Sequence, residues 1–134
     1  MKKIFLLTVI LIGSLTFTTA FKNHQGGDAY AKIEFNKTVH DYGKIAKGAD
    51  GSCTFIFTNK GNDVLFITRV VSGCGCTTPV YSREPIMPGK SSEIKVGYDT
   101  NLLGSFDKKI TVYTNAVNNA VTLTIKGEVV ESNS

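Results

Sequence analysis

The sequence contains no tryptophan, only three cysteines and three prolines, and no Gly-x-Ser-x-Gly motif. The missing tryptophan excludes the Cys, Trp, Cys framework of antibody domains. The cysteines form no Cys-x-x-Cys at a helix start, which is the usual means of lowering a thiol pKa. The nucleophile elbow of α/β-hydrolases is absent, and no two carboxylates are paired as general acid and base. The sequence therefore predicts a protein that is not an enzyme.

The first twenty residues have the order of a secretory signal peptide. Lys2 and Lys3 precede an apolar run, and small residues at Thr18 and Ala20 predict cleavage before Phe21. No cysteine follows the run, so we do not expect a lipid anchor. An uncleaved anchor helix is the alternative, but a membrane span needs about 20 apolar residues. We therefore expect no stable membrane span after cleavage.

Export limits the classes of function. The expected location is the periplasm, or the cell surface after secretion, where cysteines can pair. The whole chain has 15 Lys and Arg against 11 Asp and Glu, but Lys2 and Lys3 leave with the signal peptide. The small remaining excess of basic residues is too low for a nucleic-acid-binding surface, so no nucleic-acid partner is expected.

From residue 31 onward, apolar and polar residues alternate with the period of two that is typical of half-buried strands. In VTLTIKGEV, for example, Leu123 and Ile125 point to one face while Thr122 and Thr124 point to the other. We count about seven such strands and no helical pattern, which predicts an immunoglobulin-like antiparallel β-sandwich after a signal peptide helix. The predicted organisation is a signal peptide at 1–20, a flexible leader at 21–30 and the sandwich at 31–131.

Turn residues fall between the strands. Asn59 and Asn115 each end a strand after a threonine, and both are expected to bond the neighbouring backbone in Asx-type turns. Gly43 and Gly48 bracket the turn in DYGKIAKG. Because no helix follows them, these glycines indicate a conformational need and not a phosphate-binding loop.

The order of six segments resembles the DUF1573 family of exported bacterial proteins. These segments are HDYGKIAKG, FIFTNKGNDVLFI, SGCGCTTP, IMPGKSSEIKVGYD, GSFDKKITVYTN and LTIKGEV. The resemblance runs from about Ile33 to Val129, and its most specific element is Cys-Gly-Cys-Thr. The family usually has Ser-Cys-Gly-Cys-Thr, whereas Gly73 here separates Ser72 from Cys74. The resemblance implies a sandwich similar to the major-sperm-protein and ASH types, without an established active site.

The Cys74-Gly75-Cys76 segment has three interpretations, of which the first is structural. Its cysteines act as small apolar residues, or one of them pairs with the inward-facing Cys53. That disulfide would close a loop of about 22 residues and stabilise the fold by roughly 3 kcal/mol. In the second interpretation Cys74 and Cys76 bond to each other in a small, strained ring, which favours redox chemistry.

The third interpretation is a soft-metal site in which Cys74 and Cys76 bind copper or zinc as thiolates. Such a pair needs at least one more ligand, and the candidates are Cys53, His40 and His24. His40 is more typical of a strand or turn residue hydrogen-bonded beside Asp41.

The sequence thus predicts an exported, non-catalytic immunoglobulin-like module that needs no cofactor. It would contact a protein or a polysaccharide through exposed strand edges or end loops. The alternative function is soft-metal binding or thiol redox chemistry at Cys74 and Cys76.

Overall fold

The computed structural model describes residues 27–133, in which all regular structure is β. The predicted signal peptide and most of the leader lie outside this range. The strands are β1 (Ile33–Phe35), β2 (Val39–Ala46), β3 (Ser52–Asn59), β4 (Ile67–Ser72), β5 (Thr77–Tyr81), β6 (Ser91–Tyr98), β7 (Gly104–Thr114) and β8 (Ala120–Val130). Within residues 27–133, no helix is long and apolar enough to cross a membrane. The structure therefore has one strand more than predicted, namely β5.

The strands form two four-stranded sheets, with the orders β1-β3-β6-β5 and β2-β8-β7-β4. This arrangement confirms the predicted immunoglobulin-like sandwich. All neighbouring strands are antiparallel except β2 and β8, which run parallel. The parallel pair arises because the chain leaves the first sheet after β1 and enters the second sheet beside its last strand, instead of turning back in a hairpin.

The core lies between the two sheets and contains the inward-facing residues of the alternating strands. The buried residues on the inward faces of the alternating strands include Cys53, Phe55, Phe57, Ile94, Val96, Tyr98, Ile110, Val112, Leu123, Ile125 and Val129. The rings of Tyr98 and Phe106 stack with their centroids 3.8 Å apart. The period-two pattern predicted these faces correctly because burial on one side of a sheet selects every second residue.

The segment DVLFITRVV does not form one continuous strand. Leu65 makes an isolated bridge to Ile86, and β4 begins only at Ile67, with a register shift between Ile67 and Arg69. This shift is a β-bulge or irregularity, and β4 lies at the edge of its sheet. The chain then crosses from β4 at the edge of one sheet to β5 at the edge of the other, and residues 73–76 make this connection.

Candidate functional site

Cys74 and Cys76 form a disulfide bond in the connection between β4 and β5. Both residues are half-buried, and Gly75 between them is exposed. A disulfide that closes so small a loop stabilises the fold by only about 1.5 kcal/mol in the chain-entropy model. A disulfide from Cys53 would close a longer loop and stabilise the fold by about 3 kcal/mol. The bond therefore contributes little to holding the sandwich together.

Hydrogen bonds fix the backbone of this loop independently of the disulfide. The Ser72 hydroxyl donates to the carbonyl groups of Cys74 at 3.2 Å and Thr77 at 3.0 Å. The Thr77 N–H donates to the Cys74 carbonyl at 3.4 Å, and the Asp99 N–H donates to the Cys76 carbonyl at 2.9 Å. The loop is thus tied to both β5 and the end of β6.

The hydroxyl group of Thr77 is the polar side-chain group next to the disulfide. Its Oγ1 lies 3.8 Å from Sγ of Cys74 and 3.8 Å from Sγ of Cys76, and the residue is buried. A disulfide sulfur has no hydrogen to donate, so the threonine must be the donor in these contacts. Thr77 thus points a hydrogen-bond donor at the two sulfur atoms.

Cys53 does not form the disulfide that one form of the structural interpretation proposed. It is buried on β3 opposite Val96, and Val96 in turn lies opposite Pro79 on β5. Two strand spacings, roughly 10 Å, already exceed the Cα separation of about 7 Å that a disulfide tolerates. Cys53 therefore remains a free thiol.

The free thiol contacts Tyr42. Burial raises the pKa of Cys53, and the hydrogen bond with Tyr42 opposes part of this rise. Burial and the same contact raise the pKa of Tyr42, whose hydroxyl donates to the Gly51 carbonyl at 2.6 Å. Both side chains are therefore neutral at ordinary pH, and Cys53 is a poor nucleophile.

The structure does not bring together the predicted metal ligands that it describes. His40 lies on β2 and contacts Lys37 through Nδ1 at 3.0 Å, whereas Asp41 accepts a bond from the Gly43 N–H. Burial and the nearby Lys37 lower the pKa of His40. Residues 27–133 contain no group of three or more His, Cys, Asp or Glu side chains arranged for a metal ion. His24 lies outside this range, and copper or zinc binding at Cys74 and Cys76 stays a prediction that requires prior reduction of their bond.

The sequence did not predict a second site, which lies where β6 extends beyond its neighbour. β5 ends at Tyr81 opposite Ile94, but β6 begins at Ser91. We call the overhanging segment Ser91–Glu93 the β6 step. The β6 step was not predicted because TTPVY, with its central proline, does not have the pattern of a strand.

Hydrogen bonds at the far end of β6 establish which backbone groups face the β6 step. Tyr98 donates its N–H toward β3, to Gly51, whereas Asp99 donates toward the β5 side, to Cys76. Since these directions alternate along an antiparallel strand, the N–H and C=O of Ser91 point to the β5 side. On that side β5 has already ended, and neither group bonds a loop or turn among residues 27–133.

Shallow depressions of about 180, 250 and 310 Å³ adjoin the β6 step, and Ser92 lines all three. We call them together the β6 groove. Its apolar lining includes Val80, which is 63% exposed, Met87, which is 53% exposed, and Ile56, which is 44% exposed. Exposed large apolar side chains around unpaired strand backbone are typical of a surface that binds another polypeptide.

Each edge strand of the two sheets carries a feature that hinders strand addition. Pro79 lies in β5 at a position whose N–H would face outward, and the side chain of Asn118 bonds both the N–H and the C=O of Ile33 in β1. β2 has an irregularity near Gly43, whose φ is 62°, and β4 has the bulge after Ile67. Prolines and bulges at sheet edges prevent unwanted pairing. The β6 step has no such protection.

Comparisons with known proteins agree with this architecture. A domain of human CEP192, described as ASH/PapD-like, matches with a TM-score of 0.64 and 9% identity over 80% of this chain and 91% of that one. A protein of unknown function from Porphyromonas gingivalis W83 matches with a TM-score of 0.68 and 21% identity over 79% of this chain and 51% of that one. At these identities the likeness shows the fold alone.

One of two sequence matches places the chain in a family. It is 32% identical over 102 residues to the Hydrocephalus-inducing protein homolog of Homo sapiens, a match that covers 74% of this chain but only 2% of that protein. The model of a family described as a protein of unknown function, DUF1573, matches residues 33–129. This range contains almost every strand of the sandwich and the Cys74-Gly75-Cys76 element, and the chain therefore belongs to the DUF1573 family.

Proposed function

We propose that this protein is an exported, non-catalytic module that binds an extended segment of another polypeptide at the β6 step. The unpaired N–H and C=O of Ser91 are the observation that carries this proposal. An incoming strand would pair with these groups as an additional neighbour of β6, in line with the end of β5. This mode of recognition obtains affinity from main-chain hydrogen bonds and specificity from alternate side chains.

The chemistry of the β6 groove indicates the kind of segment. Side chains of an extended segment alternate between two faces, so one set would contact Val80, Ile56 and Met87. We therefore expect a segment with apolar residues at alternate positions. The ion pair between Lys95 and Glu93 is exposed and 3.9 Å long, so it contributes little to specificity.

A polypeptide fits the site better than a polysaccharide. The unsatisfied groups are a backbone N–H and C=O in strand geometry, which another strand complements directly. Binding of glycans that does not depend on the backbone of Ser91 would contradict the proposal.

The proposal is tested with two substitutions at one residue. Random linear peptides are selected on the chain from Phe21 onward, and the affinity of the best peptide is measured for Ser91→Pro and Ser91→Ala. Proline removes the N–H that faces the groove, whereas alanine keeps it. Both variants lose the 2.7 Å contact between the hydroxyls of Ser91 and Thr58, so alanine controls for that loss.

We expect Ser91→Pro to weaken binding roughly tenfold, which corresponds to the loss of a backbone hydrogen bond, and Ser91→Ala to leave the Kd almost unchanged. Equal affinity of both variants would contradict the proposed site. Circular dichroism of each variant checks that the sandwich is intact.

Export is part of the same proposal, with the periplasm or the cell surface as destination. Its support is the order of Lys2, Lys3, the apolar run and Ala20 in the sequence. Mass spectrometry of the protein recovered from a fractionated culture should find a mature chain that begins at Phe21. An uncleaved chain retained in the membrane fraction would contradict it.

A further inference from the structure

We propose that the Cys74–Cys76 bond is a reversible thiol–disulfide exchange centre that accepts two electrons from the dithiol of a partner protein. This activity is independent of the peptide-binding function proposed above. The structure supplies the bonded pair, its exposure, and a hydrogen-bond donor at the sulfur atoms.

The loop is built to keep its shape when the bond opens. Ser72 bonds the carbonyls of both Cys74 and Thr77, and the N–H groups of Thr77 and Asp99 bond the carbonyls of Cys74 and Cys76. None of these hydrogen bonds uses a sulfur atom. The two thiols of the reduced protein therefore stay close together, so that the bond can form again. Because the disulfide contributes little to the stability of the fold, it can also open without unfolding the domain.

The two sulfur atoms differ in their surroundings. Both residues are half-buried, but Cys76 packs against the hydrophobic core and Cys74 does not. Gly75 contributes no side chain that could cover the bond; its φ is not positive, and an added Cβ would meet no atom within 4 Å outside the two adjoining cysteines. Neither backbone conformation nor packing beyond these cysteines requires this glycine.

Thr77 supports the departure of the other sulfur. When a thiolate attacks Cys74, the electron pair of the S–S bond goes to Sγ of Cys76. The buried Thr77 hydroxyl lies 3.8 Å from that atom and can donate a hydrogen bond to the thiolate as it forms. A hydrogen bond to the charged form favours it, so Thr77 assists the departure of Cys76. The same hydroxyl lies equally far from Cys74 Sγ, so the choice of the attacked sulfur rests on the packing of Cys76 against the core.

The exchange balances in two steps. The first thiolate of the partner bonds to Cys74 Sγ, the Cys74–Cys76 bond breaks, and Cys76 leaves as a thiolate. The second thiolate of the partner then attacks the partner's first sulfur, which is bonded to Cys74 in this mixed disulfide, and releases Cys74 as a thiolate. The partner becomes a disulfide, two electrons reach Cys74 and Cys76, and the two protons of the partner thiols neutralise their thiolates.

The first experiment measures the rate of reduction by dithiothreitol, which represents the dithiol partner. The native protein is compared with the oxidised linear peptide SGCGCTTP, and with the variants Thr77→Val and Thr77→Ser. We expect the protein to react at least tenfold faster than the peptide. Thr77→Val should lose most of this advantage, and Thr77→Ser, which keeps the hydroxyl, should retain it. Equal rates for protein, peptide and Thr77→Val would overturn the proposal.

The second experiment identifies the attacked sulfur by trapping. In Cys76→Ser the remaining Cys74 should retain a mixed disulfide with glutathione, and in Cys74→Ser the Cys76 that packs against the core should retain severalfold less. Equal trapping in both variants would overturn the assignment of Cys74. Near-ultraviolet circular dichroism of the reduced wild-type protein provides a readout that does not depend on rate. Loss of the native signal, or failure to reoxidise in a glutathione buffer, would show a purely structural disulfide.

Discussion

Cys53 lies directly opposite Val96 in the pair of β3 and β6, so the whole of β6 separates it from the strand that follows the disulfide loop. This relationship determines the pairing of the three cysteines. Cys74 and Cys76 have only each other within reach, and Cys53 is enclosed by the core beside Tyr42.

Thiol mapping should reproduce this pairing. We expect non-reducing tryptic digestion to give a peptide Val70–Arg83 that carries an internal disulfide, and a peptide Gly48–Lys60 whose Cys53 is free. Iodoacetamide should label Cys53 only after denaturation, because burial both blocks access and raises the pKa of this thiol. A cross-link between the two peptides would contradict the structure.

Stability should decrease at alkaline pH. The pKa of Cys53 and that of Tyr42 are raised in the folded protein, so the unfolded chain releases these protons first. Stability is therefore constant below the unfolded thiol pKa, near pH 8.5, and falls as pH rises through the folded values. Urea unfolding should show a lower midpoint at about pH 10 than near pH 7. Cys53→Ala should show a smaller decrease, and an unchanged wild-type midpoint would contradict the expectation.

Asn59 and Asn115 should differ sharply in their contributions to stability. Asn59 is completely buried and makes four side-chain hydrogen bonds to the backbone, with partners Lys32, Gly61, Asp63 and Ile86. Its bond with Gly61 is the predicted Asx-type turn.

Asn115 is exposed and bonds distant residues of the loop before β4 instead. We expect Asn59→Ala to lower the free energy of unfolding by about 3 kcal/mol or more, and Asn115→Ala by about 1 kcal/mol. Urea denaturation of both variants provides the comparison, and similar losses would show that burial does not govern these bonds.

Replacement of Pro79 should unblock the edge of β5. The backbone N–H and C=O groups of Thr78 and Val80 point toward β6. Because these directions alternate along a strand, an N–H at position 79 would point away from the sheet. We therefore expect Pro79→Val to self-associate as its concentration rises. Thr78→Val, which adds an exposed valine without a new edge N–H, is the matched control. Analytical ultracentrifugation should find Pro79→Val heavier than the control, whereas equal masses would show that the proline does not protect this edge.

The site was only partly predictable from the sequence. The Cys-Gly-Cys element indicated the loop. The choice among its interpretations depends on the distance between Cys53 and Cys76, which is set by the strand that lies between them. The β6 step was not predicted, because β5 was not recognised as a strand. It exists because β5 ends opposite Ile94, three residues short of Ser91 where β6 begins, which is a property of two strands and their register.

Local alternation of apolar and polar residues was enough to predict the β-sandwich and the inward face of most strands, because burial on one side of a strand selects every second residue. Which strands became neighbours was set by folding of the whole chain. The parallel pairing of β2 with β8, the passage from β4 to β5 and the bond between Cys74 and Cys76 all depend on contacts between segments brought together by folding. Such contacts depend on the closure of chain loops and the packing of two sheets, and the local residue pattern does not encode either of them.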